Sequence, residues 1–314
     1  MKDVWQSIGT TIAAVSYKST YPQYKRISVK NVKEETRKMK RLNEEEVKNY
    51  QLGILDTVTE FCEKNQIQYW LDCGTLLGSI RHKGYIPWDD DIDVGMLRPD
   101  FDRFMHKFNQ ENNRYKFTCN ELDKACVYPY GKVMDTETIL YEPDENGIVS
   151  CINIDVFVYD NAPDSISECK KMYDRSDWYS MLNALQNRMI GTHGVMKDIV
   201  KAVGFVALHL YPKGYFAQKI VSNSKKYADM PTKSVGNFTS VPRIICEKDV
   251  FSSFIKVPFE GREYNAPVGY DKWLNAFYGD YMQLPPEEKR VSHHMYKAYQ
   301  KRDDGEREEM SSSI

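Results

Sequence analysis

The apolar positions Val47, Leu52, Leu55, Val58, Thr59 and Phe61 fall on one face of a 3.6-residue helix. Asn43 followed by Glu44-Glu45-Glu46 supplies a capped start, so the pattern predicts a helix running to about Asn65. The period then changes. Ile67, Tyr69 and Leu71 alternate with polar or smaller neighbours across 66–72, which predicts a strand that Gly74 breaks. Residues 75–83 read as a helix, a second strand carries Asp91 and Asp93, and a further helix spans 99–109. Strand patterns return at 128–134, 139–141 and 151–159, separated by turn-rich links such as Glu142-Pro143-Asp144-Glu145-Asn146-Gly147. After Asp160 the spacing is helical over 165–190 and 196–228. Short strands and turns around Pro242, Pro258 and Pro267 then precede a helix over 270–278. Helices and strands in this mixture predict an α+β fold without internal repeats.

Composition narrows the picture. The 314 residues suffice for one elaborated domain or two at roughly 150 residues each, and 41% hydrophobic with 28% charged residues is ordinary for a soluble globular chain. A net charge of −2 gives no global bias toward nucleic acid, and none is expected as a partner. Nine basic residues between Lys18 and Leu42 face only Glu34 and Glu35. This run suits either anionic lipid headgroups or a solvated helix face. Seven cysteines form neither a C-x-x-C pair nor a group with clustered histidines, which argues against zinc and a disulfide framework. Cys73 and Cys151 lie in apolar runs and read as buried thiols of a reducing compartment. No stretch reaches the roughly 20 apolar residues that cross a bilayer, and the N-terminus lacks a secretory apolar core, so the expectation is a cytoplasmic protein.

One segment qualifies that expectation. Ile199, Val200, Val203, Phe205, Val206, Leu208 and Leu210 put apolar residues on nearly every side, flanked by Lys197, Lys201, Lys213, Lys219, Lys225 and Lys226. An interfacial helix dipping into one leaflet of the inner face of the cell membrane fits this pattern. A core helix or a dimer contact fits it too.

The chemistry concentrates at Asp89, Asp90, Asp91 and Asp93, four carboxylates within five residues. In an extended strand Asp89, Asp91 and Asp93 would share one face, with Asp90 and Ile92 on the other. Such like charges repel, and a hard divalent cation with oxygen-only ligands, Mg²⁺ or Mn²⁺, relieves the repulsion. A solvated acidic turn is the alternative; the apolar Ile86, Trp88, Ile92, Val94 and Met96 threaded through the run weigh against it. Asp155, between Ile154 and Val156, would be costly to bury without a cation or a donor. It reads as a third metal carboxylate, or as one hydrogen-bonded to a neighbouring element. The helix after Gly74 would offer free N–H groups to an anion. A Gly-Thr turn, an Asp-x-Asp strand and a later single Asp are together the parts of a nucleotidyltransferase-type palm.

Residues 69–95, YWLDCGTLLGSIRHKGYIPWDDDIDVG, resemble the signature block of the LicD/fukutin family of phosphotransferases. Tyr130-Gly131-Lys132-Val133-Met134-Asp135-Thr136-Glu137-Thr138 and Tyr278-Gly279-Asp280-Tyr281-Met282-Gln283-Leu284-Pro285-Pro286 resemble two later family segments. The likeness covers about 45–160 well and 265–296 less closely, leaving the helical stretch between them without a motif. The gap from Gly74 to Asp91 is longer than in generic nucleotidyltransferases, and it follows the LicD pattern.

The resemblance implies a nucleotidyltransferase-like mixed sheet flanked by helices, with an added helical region. It implies a chain divided into a basic arm (1–42), a catalytic core (43–160), a helical insertion (161–230), a part completing the domain (231–300) and a disordered tail (301–314). The implied activity is metal-dependent transfer of a substituted phosphate from a CDP-linked donor, such as CDP-choline, to a sugar hydroxyl of a teichoic acid, lipopolysaccharide or capsule precursor. Glycerol, ribitol or ethanolamine phosphate, or a nucleotidyl group, are alternative cargoes, and an inactive glycan-assembly module at the membrane is a reading of another class. Asp91, Asp93 and Asp155 would be both catalytic and metal-bound, with Asp89 an auxiliary ligand and Asp90 facing away. Gly74, Thr75, Arg81, His82, Lys83 and Lys132 would meet the donor's phosphates, although charge balance explains the Arg-His-Lys triplet and an ion pair explains Lys132 equally well. Trp88, Arg290 and His293 are candidates for substrate contact, with packing of the C-terminal segment as the alternative for the last two. A quaternary ammonium would need an aromatic box, for which the sequence offers too many tyrosines to choose.

Overall fold

The computed structural model describes residues 36, 39–142, 148–187, 207–241, 244–290 and 296–301. Most of the basic arm, the apolar segment through Val206, His293 and all but the first residue of the tail lie outside these residues. In chain order the first elements are β1 (Lys40–Arg41), α1 (Glu44–Asn65), β2 (Trp70–Leu71), α2 (Cys73–His82), β3 (Asp93–Leu97), α3 (Arg98–Glu111), β4 (Tyr115–Thr118) and β5 (Gly131–Asp135). There follow β6 (Thr138–Glu142), β7 (Ile148–Ser150), β8 (Asn153–Ala162), α4 (Ile166–Asn187), α5 (Tyr215–Ser224), β9 (Ser234–Gly236) and β10 (Ile245–Glu247). The hairpin β11 (Phe254–Phe259) and β12 (Arg262–Pro267), then α6 (Tyr270–Tyr278) and β13 (Lys297–Gln300), complete the series.

Helix α1 begins where its sequence says it should. Asn43 Oδ1 accepts from the Glu46 amide at 2.8 Å and Glu46 Oε2 accepts from the Asn43 amide at 2.9 Å, a reciprocal capping box. Val47, Leu52, Leu55, Val58 and Phe61 are all buried, as the spacing requires.

The architecture is α+β. A seven-stranded sheet is organised on β8, the longest strand: β3 runs parallel to it, β5 and β9 pair antiparallel with its two halves, and β4, β10 and β2 extend the sheet outward. The β3–β8 register aligns Asp93 with Asp155, so two acidic residues stand side by side at adjacent strand starts. A second, antiparallel sheet has the order β1-β13-β6-β7. The β11–β12 hairpin turns through Glu260 (φ 51°) and Gly261 (φ 75°), the paired positive φ values that a two-residue hairpin loop needs.

The added helices pack on each other, with Asn223 Nδ2 donating to the Met172 carbonyl and Ser176 Oγ at 2.8 and 2.9 Å. The continuous helix expected up to Ala228 is interrupted in its described part. Pro212 and Gly214, the latter at φ 79°, break it before α5. Arg98 ties this region to the core, with Nε and Nη2 bonding Asp160 at 2.6 and 2.8 Å and Nη1 bonding Glu121 at 2.6 Å. Lys225, just past α5, pairs with the other Glu121 oxygen at 2.8 Å. All seven cysteines are buried with free thiols, in keeping with the reading of Cys73 and Cys151. No helix among the described residues is long and apolar enough to cross a membrane.

Candidate active site

The acidic run does not behave as one strand. Pro87-Trp88 makes a turn and β3 starts only at Asp93, so residues 89–92 form a loop in which strand alternation has no force. Asp90 therefore does not face away. One carboxylate oxygen from each of Asp89, Asp90 and Asp91 lies within 4.8 Å of the others. Several bonds fix the loop against its own repulsion. Thr75 Oγ1 accepts from the Asp93 amide at 2.9 Å, the Asp155 amide donates to the Ile92 carbonyl at 2.9 Å, and Gln51 Nε2 donates to the Asp90 carbonyl at 2.9 Å. At the loop's start the Glu260 amide donates to the Lys83 carbonyl and Glu260 Oε1 accepts from the Tyr85 amide, both at 3.0 Å. Gly74 gives Asp89 room, since a Cβ there would sit 2.5 Å from Asp89 Oδ2.

Burial pushes the Asp89 carboxyl up to about 7, with the charge of Asp91 adding to the rise. Burial also lifts Asp93 well above the usual carboxylate range, reinforced by Asp91 and Asp155. Carboxylates raised in this way are held in a place that favours their neutral forms or a bound cation. The donor set is all oxygen and strongly anionic, which fits a hard divalent ion and offers no soft ligand for zinc.

Asp155 has a protein cation beside it. Lys132 Nζ forms an ion pair with it and donates to Asn153 Oδ1 at 3.0 Å, while lying 5.0 and 5.5 Å from the ring centres of Tyr128 and Tyr130. The ion pair weighed for Lys132 from sequence is thus present, and burial alone would have lowered its pKa were Asp155 not raising it. These residues, with Gln51, Asp90, Asp91 and Tyr296, line a cavity of about 260 Å³ beside the acidic loop.

The first amide of α2, where an anion was expected, is capped by the chain itself. Asp72 Oδ1 accepts from the Cys73 amide at 2.9 Å and from Trp273 Nε1 at 3.1 Å, and Oδ2 accepts from Tyr159 OH at 2.5 Å. Asp72 is wholly buried, and desolvation raises its pKa against these donors. Thr75, also buried, accepts with its hydroxyl oxygen from the first amide of β3. Arg81, His82 and Lys83 lie at the far end of α2, about 12 Å along the axis from Gly74 at 1.5 Å per residue. Arg81 Nη1 donates to the Tyr281 carbonyl at 2.8 Å and its Nε to His82 Nε2 at 2.9 Å; Lys83 Nζ turns back to the Ile80 carbonyl at 3.1 Å. Trp88 lies between His82 and Arg290. Its ring lies 6.4 Å from that of His82 and 5.8 Å from the Arg290 guanidinium, forming a cationic and aromatic ledge next to Asp89.

Sequence reasoning gave no role to Gln51 or Asp72. Asp72 stands inside the signature block, and an acidic residue directly before a Gly-containing helix start was the signal for a cap. Gln51 carried no such signal, because a polar residue on a helix otherwise reads as solvent-facing.

With this geometry in view, the chain can be placed among known proteins. The family model for LicD/FKTN/FKRP, nucleotidyltransferase domain, matches residues 66–189. The chain is 31% identical over 280 residues to the lipopolysaccharide cholinephosphotransferase LicD of Haemophilus influenzae, covering 83% of this chain and 99% of that one. It is also 38% identical over 55 residues to human ribitol 5-phosphate transferase FKRP, a stretch covering 18% of this chain and 10% of the human protein. These relatives make the chain a transferase of phosphate-linked groups. The chain belongs to the LicD family.

Proposed function

We propose that the protein transfers phosphocholine from CDP-choline to a sugar hydroxyl of a cell-surface glycan precursor, using Mg²⁺ or Mn²⁺. The observation that carries this reading is the likeness to a lipopolysaccharide cholinephosphotransferase along nearly that protein's whole length, acidic block included. The donor side follows from charge. Arg290 gives the ledge of His82 and Trp88 a positive charge, suited to an anionic nucleotide. Asp89, Asp90 and Asp91, whose carboxylate oxygens converge, would hold the divalent ion together with Asp93 at the start of β3, and the ion would supply charge neutralisation at the diphosphate. The acceptor oxygen attacks the phosphorus bearing choline, its bond to the CMP oxygen breaks, and CMP leaves. Asp155, charge-paired with Lys132, accepts the hydroxyl proton. Lys132 holds that carboxylate in place from the opposite strand, β5.

Purified protein incubated with Mg²⁺ and, in turn, CDP-choline, CDP-ribitol, CDP-glycerol and CDP-ethanolamine is expected to release CMP fastest from CDP-choline. Asp91→Ala and Asp93→Ala are expected to abolish that release in folded protein. Undiminished turnover in both variants would sink the mechanism, and preference for another donor would reassign the cargo. No release from any donor, with no calorimetric signal for the divalent ion, would favour an inactive assembly module.

A second reading concerns location. Trp178 and Met181 of α4, and Leu210 and Tyr211 in the turn that leads into α5, are exposed, which supports peripheral contact with a membrane face. Co-sedimentation with anionic vesicles is the expected result, and its absence would remove this reading.

A further inference from the structure

Three carboxylates in one half-buried loop separate unless something outside the loop holds them. The neutral side chain in that position is Gln51, buried on α1 and lining the same cavity. Its Nε2 donates to the Asp90 carbonyl at 2.9 Å, and its Oε1 accepts from Tyr85 OH at 3.0 Å. The amide's orientation is thereby set, because the tyrosine hydroxyl engages the oxygen and leaves the NH₂ group for the loop.

Tyr85 is itself immobilised. Its backbone amide is bound by Glu260, its ring packs 5.1 Å from that of Phe259, and the Lys48 ammonium lies 4.4 Å from its centre. Beyond Asp91 the chain is pinned again, at the Ile92 carbonyl and the Asp93 amide. Gln51 thus fixes the peptide between Asp90 and Asp91, with the second anchor close behind it. The directions in which these two carboxylates leave the backbone are set from α1.

We propose that Gln51 is a positioning residue for the divalent cation, holding the acidic loop in its cation-binding shape before the ion arrives. The inference rests on the metal reading given above. An amide suits this task because it donates to a carbonyl without adding another negative charge to the group. Leucine has similar bulk and cannot donate, so a loop freed from Gln51 relaxes, and binding must then re-impose the strained arrangement.

The test is direct Mn²⁺ binding to the full chain without donor, read by electron paramagnetic resonance. Gln51→Leu is expected to raise the Mn²⁺ Kd about tenfold, the effect of losing roughly one buried hydrogen bond. Its melting temperature without metal is expected to stay within a few degrees of wild type, and the half-saturating Mg²⁺ concentration for CMP release to rise in parallel. A purely structural Gln51 would lower stability and leave Mn²⁺ affinity alone. A folded Gln51→Leu protein whose Kd lies within twofold of wild type overturns the proposal. If Gln51→Leu does not fold, Tyr85→Phe, which removes the bond orienting the amide, is expected to weaken Mn²⁺ two- to fivefold, and no change there overturns it. Wild-type protein that binds no Mn²⁺ overturns the metal reading and this inference with it, a failure distinct from a metal that binds both proteins equally.

Discussion

Raising the pH from 5 to 7 in the absence of divalent ions is expected to destabilise the protein through Asp89. Its carboxyl stands near 7 in the folded chain and near 3.8 when free, so between these values the folded state holds a proton that the unfolded state has lost. Stability is therefore fully present below 3.8 and declines as pH rises through 7, by about 1.4 kcal/mol per pH unit in the steep range. Two units amount to about 2 to 3 kcal/mol, or roughly 5 to 10 °C in melting temperature for a chain of this size. His82 opposes this slope, since burial lowers its pKa and favours its neutral form in the fold. The Asp89→Asn variant separates the two effects, because asparagine mimics the protonated carboxyl and leaves His82 untouched. Differential scanning calorimetry in EDTA at pH 5, 6, 7 and 8 should show wild type losing stability relative to Asp89→Asn up to pH 7 and little beyond it. With Mg²⁺ present the relative loss should shrink, because the ion favours the charged form. Parallel melting curves for both proteins in EDTA from pH 5 to 7 would refute the reasoning.

Two further outcomes follow from the geometry. Arg98→Met leaves Asp160 buried without its guanidinium partner, and is expected to cost about 3 to 5 kcal/mol, measured by urea unfolding; a cost under 1 kcal/mol would mean the network is dispensable. Gly74→Ala pushes a methyl group toward Asp89 Oδ2, and should reduce CMP release several-fold while shifting the melting temperature by only a few degrees; full activity would show that the Asp89 position is not needed.

The long helices and the central strand were legible in the sequence because their signals are local. The Asn43 capping motif, the apolar face of α1, the helix over 270–278 and most of β8 all emerge from neighbours within a few residues. Strands β4 and β7 were missed, and the hairpin β11–β12 was foreseen only as short strands around its prolines. β4 and β7 are short, and β11 exposes much of its length, so none of them shows a strong alternating pattern. Asp90 was misplaced for a related reason. The strand rule was applied four residues too early, across a Pro87-Trp88 turn that resets which way each side chain points. The cap on α2 was overlooked because helix starts attract carboxylates as well as phosphates, and Asp72 is covalently at hand. The neighbourhood of Asp93 and Asp155 was legible as two acidic strands, but their side-by-side register came only from the parallel pairing.

Among the described residues the short strand β1 has its one strand partner in β13, where Lys40 lies opposite Gln300. During synthesis the first strand of the described fold must therefore wait, unpaired, until almost all of that fold has been made. Its closure spans a very long loop, whose entropic cost grows only slowly with length, so the delay is one of order rather than of energy. Strands β6 and β7 can pair as soon as they emerge, but the four-stranded sheet is complete only at the end. The same adjacency brings residues 40 and 300 together, so a short linker between them and a new opening in an exposed loop would preserve every strand pairing.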